Sequence, residues 1–392
     1  MLKEIYIVSA KRTPLGGFQG ALASQTAPKL GANAIQAALT SAGIGPDQVD
    51  EVYMGNVISA GVGQAPARQA ALNAGLPVSI PCTTVSKVCG SGMKSVMLAA
   101  DAMQLGAADC VIAGGMESMS LAPNLLPKAR AGFRLGHQST LDSMYVDGLE
   151  DAESGRLMGE FGQQTADRFE IGREAMDAFA IESLRRATEA TENGYFADEV
   201  VPLEIQGRGG VTTVAEDEQV RTAKPEKIPL LKPAFAKDGT VTAANSSSIS
   251  DGAAALVLMT EEAMTQRGVS ALAKICAYES HAQKPEEFTL APIGAMQKLM
   301  QKLDWQVGDV DLFEINEAFA VVTMAAMQEM EIPHDKVNVN GGACALGHPL
   351  GASGARIIVT LIHALRRLGK KRGIASLCIG GGEATAIAIE LV

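Results

Sequence analysis

The chain predicts an α/β protein made of two similar halves, each a mixed or parallel sheet covered by helices, with an irregular segment between them. Three observations carry this. Of 392 residues, 47% are hydrophobic, only 20% are charged and 41 are glycine, which suits packed helices and strands rich in Ala, Val and Gly and does not suit disorder. One order of helix, turn and strand signals occurs twice. Between the two copies, residues 120–249 lose the pattern. The length allows two or three domains and a large core.

The elements follow in order. A β-like alternation runs through Ile5-Tyr6-Ile7-Val8, and Ala27-Pro28-Lys29-Leu30-Gly31 then opens a helix through Ala42 that leads to the strand-like 50–57. In the later copy, Ala291-Pro292-Ile293-Gly294 opens a helix through Leu303 that leads to 311–318. The second part of each copy also matches. Cys89-Gly90-Ser91-Gly92 precedes a helical pattern from Met93 to Leu105, a Gly106 stop, the strand 109–113 and Gly114-Gly115-Met116-Glu117. Gly351-Ala352-Ser353-Gly354 precedes a helix to Leu368, a Gly369 stop, the strand 374–378 and Gly380-Gly381-Gly382-Glu383. A glycine that closes a helix before an apolar run marks an αβ unit.

The middle segment holds Pro123, Pro127, Pro202, Pro225, Pro229 and Pro233, with one clear amphipathic helix from Arg173 to Thr191. An insertion of this kind reads as a lid or binding subdomain. The apolar run Ala253 to Met259 then returns to the first half.

Composition excludes several classes. A net charge of −11 argues against nucleic acid or an anionic membrane as a partner, since both need a basic face. No run approaches a transmembrane length and none suits a signal peptide, so a soluble cytoplasmic protein is expected. Six cysteines (82, 89, 110, 276, 344, 378) without C-x-x-C spacing and five scattered histidines support neither a disulfide scaffold nor a metal site. Gly380–Gly382 and Gly61-Val62-Gly63-Gln64 lack the spacing of a dinucleotide loop.

Chemistry gathers at four places. Cys89 sits at a helix start, where the macrodipole and free N–H groups lower a thiol pKa, so a reactive thiolate is expected there. The commoner role of a free cysteine is burial, but the glycine-rich, polar neighbours favour function. Cys378 ends another apolar run before Gly380. His348, between Gly347 and Pro349, is held in a rigid loop from which an imidazole can serve as base or oxyanion donor; a plain buried polar histidine is about equally expected. Asn316 ends a strand, and helix N-capping is its ordinary explanation. Together they suggest a thiolate nucleophile, a second thiol for proton transfer and an oxyanion site.

The blocks Val88-Cys89-Gly90-Ser91-Gly92-Met93, Asn316-Glu317-Ala318-Phe319, Gly347-His348-Pro349 and Cys378-Ile379-Gly380 resemble the signatures of the thiolases, and the resemblance runs from end to end. It implies a thiolase fold, two αβαβα halves in five layers with an inserted loop domain: 1–119 plus 250–271, 120–249, and 272–392. It implies that Cys89 takes an acyl group from coenzyme A. His348 would activate Cys89 and, with a water held by Asn316, stabilise an enolate oxygen. Cys378 would move the α-proton, and the amides of Cys89 and Gly380 would form the oxyanion hole.

Val88–Lys94 and Met158-Gly159 look most like the short-chain acetyl-CoA acetyltransferases, with Met158 walling the acyl pocket. By the same resemblance Leu149, Arg221, Phe235, Ala243, Ser247, Ala318 and Phe319 would line the CoA path, and Phe288 would lie at the acyl-pocket floor. CoA would be substrate and product, with no cofactor and no metal. Leu157 stands where many biosynthetic members have histidine, and Ala244 and Ser248 replace commoner glycines. The stretch 121–141 resembles a tetramerisation loop, so a homotetramer is expected. The alternatives are a 3-ketoacyl-CoA thiolase of broader chain length and a non-catalytic acyl-CoA-binding relative. A decarboxylating synthase of the same fold would lack the second catalytic cysteine.

Overall fold

The computed structural model describes residues 3–207 and 209–392. The first half supplies β1 (Ile5–Arg12), β2 (Gly16–Gly17), α1 (Ala27–Ala42), β3 (Glu51–Gly55), α2 (Pro66–Asn73), β4 (Cys82–Val85), α3 (Ser91–Gln104) and β5 (Cys110–Ser118). The inserted segment carries β6 (Asn124–Leu125), β7 (Leu141–Asp142), α4 (Met158–Arg168), α5 (Arg173–Glu192), β8 (Leu203–Gly207), β9 (Gly210–Val214) and α6 (Glu218–Thr222). Then come β10 (Ser250–Thr260), α7 (Glu261–Arg267), β11 (Ala273–Ala282), α8 (Ala291–Leu303), β12 (Leu312–Ile315), α9 (Ala320–Met330), α10 (Ala343–Leu346), α11 (Leu350–Leu368), β13 (Arg372–Ile379) and β14 (Glu383–Leu391).

The repeat seen in the sequence is a repeat of sheet topology. Strands run β3-β5-β10-β1 in one half and β12-β13-β14-β11 in the other, with the first pair parallel and the rest antiparallel in both. A matched side-chain clamp marks the equivalence. Asp50 Oδ2 accepts from the amides of Asp109 and Cys110, and Asp311 Oδ2 accepts from those of Lys371 and Arg372. The halves meet edge to edge where Tyr6 and Ile7 pair with Lys274 and Ala273.

Helices α1 and α8 cover the outer faces, while α3 and α11 pack on each other between the sheets. Every residue of α11 from Leu350 to Leu365 is buried, as a helix that is covered all round must be. The crossing of α3 and α11 is close because it is built on glycine. A Cβ on Gly354 would lie 2.4 Å from the Met93 amide nitrogen, and one on Gly92 2.8 Å from that of Ala355. The N-termini of both central helices are thereby brought to one end of the molecule, together with the loops that precede them.

Two readings change here. The strand β5 runs straight through Gly114 and Gly115 to Ser118, where the expected strand ended at residue 113. Those glycines serve close approach: a Cβ on Gly115 would lie 1.9 Å from Gly351 O. Asn316 caps no helix, because α9 begins later, with Phe319 at its N-cap position.

The insert is tied down by a buried ion cluster. Arg12 in β1 donates from Nε to Glu199 (2.6 Å) and from both terminal nitrogens to Asp217 (2.7 and 2.9 Å). Next to it, Glu218 Oε2 accepts from the amides of Gly17 and Ala21. This holds α6 against the first half.

Candidate active site

Cys89 lies in the loop between β4 and α3. Its neighbour Val88 has φ of +44°, a left-handed conformation that is strained for a β-branched residue and occurs where the surroundings enforce it. Ser91 enforces it here: its Oγ accepts from the Lys87 amide at 2.8 Å and donates to Val88 O at 2.7 Å. The same loop lies against Ile379 and Gly380 of the other half. The amides of Gly380 and of Cys89 itself point at the Cys89 sulfur.

Burial nevertheless dominates that sulfur. It pushes the Cys89 thiol up to about 11, and the two amides only partly offset this. The expectation of a thiolate made by the helix terminus is therefore corrected. The cost of a charge in a dry site outweighs a helix end that starts two residues further on, so the resting group is a thiol that needs a base.

A base is present in the same cavity. His348 precedes α11, and its amide donates to Ser248 O at 3.1 Å and to Ser250 Oγ at 3.2 Å. Burial, reinforced by the Arg356 charge, holds the imidazole down at about 3, so it is neutral at neutral pH. His348 Nδ1 lies 2.5 Å from Ser353 Oγ and 3.5 Å from Asn316 Nδ2, and Nε2 has no partner. Asn316 is fully buried and its Oδ1 faces Arg356 Nη2 at 3.4 Å, while Arg356 Nη1 donates to Glu314 at 2.9 Å.

Cys378, the penultimate residue of β13, is fully buried. Burial, with the Cys89 sulfur nearby, pushes its thiol far above the usual range. A neutral thiol beside a neutral imidazole and a second neutral thiol is an arrangement for passing protons, with no charge to stabilise at rest.

Some of these groups border a cavity of about 570 Å³. Cys89, His348 and Gly380 line it, as do Leu149, Met158, Phe235, Ala243, Ser247, Ala318 and Phe319. Asn316 and Cys378 stand one layer behind the lining. Arg221 is not in the wall; it lies exposed on α6 and pairs with Glu216 at 2.6 Å, because that face of α6 points to solvent. Leu157 and Ser248 line the cavity, and Ala244 lies in an adjoining one. Phe288 also lines it, edge-on to Phe161 with ring centroids 6.3 Å apart.

The insert is fixed over this cavity by backbone bonds. Ser247 N donates to Ala318 O (2.9 Å) and Ala320 N to Asn245 O (2.8 Å). Phe235 and Phe319 meet edge to face, centroids 6.1 Å apart. Sequence reasoning missed Phe18, Tyr145 and Gln219 in the wall. Phe18 stands out in the sequence only as an aromatic directly after Gly16-Gly17.

All six cysteines are free. Among the described residues no cluster of His, Cys, Asp and Glu is placed to hold a metal ion, and no helix is long and apolar enough to cross a membrane.

Known proteins resemble the whole chain. Residues 5–262 match the thiolase N-terminal domain and residues 269–391 the thiolase C-terminal domain. An acetyl-CoA acetyltransferase of Chromobacterium violaceum is 48% identical over 389 residues, covering 99% of each chain. Acetyl-CoA acetyltransferase 2 of Arabidopsis thaliana is 50% identical, covering 100% of this chain and 98% of its own. Two solved structures share the fold at 42% identity: a thiolase from Ascaris suum in complex with coenzyme A (TM-score 0.94, all of both chains) and the Bacillus anthracis acetyl-CoA acetyltransferase (TM-score 0.97, 100% and 99%). With both domains matched and the duplicated sheet order in place, this chain belongs to the thiolase family.

Proposed function

We propose that the protein is an acetyl-CoA C-acetyltransferase, which condenses two acetyl-CoA to acetoacetyl-CoA and CoA, reversibly, through an acetyl-Cys89 thioester. The observation that carries this reading is the Cys89 thiol and the neutral His348 imidazole in the wall of one cavity, with two amides aimed at the Cys89 sulfur and a second thiol, Cys378, buried near it. His348 Nε2 takes the Cys89 proton, and the thiolate attacks the thioester carbonyl of the first acetyl-CoA. The C–S bond to CoA breaks, and the departing CoA sulfur takes up the proton. The amides of Cys89 and Gly380 hold the oxyanion formed on the way.

Cys378 passes its thiol proton to the neutral His348 and, as a thiolate, removes an α-proton from the second acetyl-CoA, a step eased by the thioester, while the His348 imidazolium and a water held by Asn316 stabilise the enolate oxygen. Attack of that carbon on acetyl-Cys89 forms acetoacetyl-CoA and expels the Cys89 thiolate, which takes the proton from His348 and restores the resting thiol. Met158 and Phe288 confine the acyl group to short chains. Pantetheine follows Leu149, Phe235, Ala243, Ser247, Ala318 and Phe319, and Arg221 reaches the nucleotide outside the cavity by leaving Glu216, an exposed pair of little strength.

We further propose the division 1–119 plus 250–271, 120–249 and 272–392, a homotetramer joined through 121–141, and a cytoplasmic location, which suits six unpaired cysteines. The test follows acetoacetyl-CoA absorbance with added CoA and acyl-enzyme mass. Wild type cleaves; Cys89→Ala is never acetylated; Cys378→Ala is acetylated without turning over. Binding of CoA esters by wild type with no cleavage overturns the reading in favour of a binding protein.

A further inference from the structure

A histidine can act as base through Nε2 only if its proton sits on Nδ1, so something must fix the tautomer. Only two side chains meet His348 Nδ1 among the described residues: Ser353 Oγ at 2.5 Å and Asn316 Nδ2 at 3.5 Å. The second contact is longer than ordinary hydrogen bonds. The first is short, and it decides the proton position.

Ser353 has the geometry of an acceptor here. It lies on the first turn of α11, fully buried, and its Oγ is 2.9 Å from Pro349 O, which can take the hydroxyl hydrogen. With that hydrogen spent on a carbonyl, an Oγ lone pair faces Nδ1. Nε2 is left unprotonated and meets no protein partner, although it is buried. Asn316, whose Oδ1 faces the donor-only guanidinium of Arg356, turns its amide hydrogens to Nδ1 and so favours the opposite tautomer, but at 3.5 Å it is outweighed by the 2.5 Å contact to Ser353.

We propose that Ser353 is a positioning residue for His348: it accepts the Nδ1 hydrogen, passes its own to Pro349 O, and so presents an unprotonated Nε2 to the Cys89 thiol. The chain His348–Ser353–Pro349 carbonyl does the work that a carboxylate does in a triad, without a charge. A carboxylate there would favour the imidazolium; a hydroxyl orients the ring and keeps it neutral. The proposal rests on the thiolase reading for the use made of Nε2 but not for the tautomer itself.

Two measurements test it. In wild type labelled with 15N-histidine, a resonance lost in His348→Asn reports the His348 tautomer. A protonated Nδ1 and a bare Nε2 are expected, and a protonated Nε2 overturns the proposal. In the second, Ser353→Ala and Ser353→Thr are compared with wild type for kcat, KM and the rate of Cys89 alkylation by iodoacetamide. Ser353→Ala is expected to lose ten- to a hundredfold in kcat and in alkylation with KM within twofold, and Ser353→Thr to recover most of both. A folded Ser353→Ala with kcat and alkylation within twofold of wild type overturns it. If Ser353→Ala does not fold, the 15N result alone decides. Wild type that shows the expected tautomer and alkylation but cleaves no acetoacetyl-CoA refutes the function and leaves the role of Ser353 standing.

Discussion

His348 is neutral because it is buried, and that has a cost in acid. The folded chain holds it at about 3, against 6.5 for a free imidazole. Between those values the unfolded chain binds a proton that the folded chain refuses. Stability is therefore full above pH 6.5 and is lost as pH falls towards 3, at ~1.4 kcal/mol per unit. Urea unfolding at pH 7.5 and 5.5 is expected to show this as a difference between proteins: the buried carboxyls of Glu117 and Glu314, pushed up to about 7 and about 8, act in the opposite sense in both, so wild type loses more stability on acidification, or gains less, than His348→Asn. Some slope remains in the variant, because burial also lowers His363. An unchanged slope would mean that His348 is protonated in the native state. At the pocket floor, Phe288 presents a rigid ring where Met would be flexible. The preference for acetoacetyl-CoA over its 2-methyl analogue is expected to change in Phe288→Met. Equal rates with both esters in both proteins would remove Phe288 as a specificity residue. Cys89, His348 and Cys378 were legible as candidates in the sequence, because glycine and proline around them mark loops at element ends; Asn316, with no such neighbours, read first as a helix cap. The protonation of the three was not legible. It depends on how far water is excluded, which local sequence does not encode, and Cys89 was accordingly misread.

At the scale of elements, the helix starts that carry Cys89 and His348 meet because α3 and α11 cross at glycine. Gly354→Ala sets a Cβ against backbone at Met93, which neither helix can yield without moving the site. A loss of about 2 kcal/mol or more and a lower Tm are expected, together with reduced activity. Gly308→Ala, which meets nothing within 4 Å, is the control and should stay within about 0.5 kcal/mol of wild type. Equal melting of both variants would show that the crossing tolerates a methyl group. The helix α1 was read to its last residue, and α8 likewise, since Pro near the start and apolar periodicity are local signals. The straight course of β5 through Gly114 was not legible. Whether a glycine turns or lets a neighbour approach depends on what lies across from it, here Ala254 O and Gly351 O. Arg221 shows the same limit: its residue type suits an anion, but the exposed face of α6 was visible only in three dimensions.

For the whole molecule, the stretch proposed to join chains leaves Leu126, Phe133 and Leu135 exposed, the last almost completely at 98%. Clustered apolar exposure of this kind marks an interaction surface. Sedimentation is expected to give four chains of 40.8 kDa, and replacing all three residues with Asp to give a smaller, still folded assembly. A wild-type chain that sediments as a dimer would refute the tetramer.

The sheet order bears on how the chain is made. Strand β10 sits between β5 and β1, yet about 130 residues separate it from the end of β5. A ribosome adding ~5–20 residues per second needs on the order of ten seconds to supply it. Throughout that interval β1 and β5 have emerged with unpaired edges and no partner between them. The nascent first half therefore cannot close by itself, and the growing chain has most need of a chaperone before the ribosome has finished the insert.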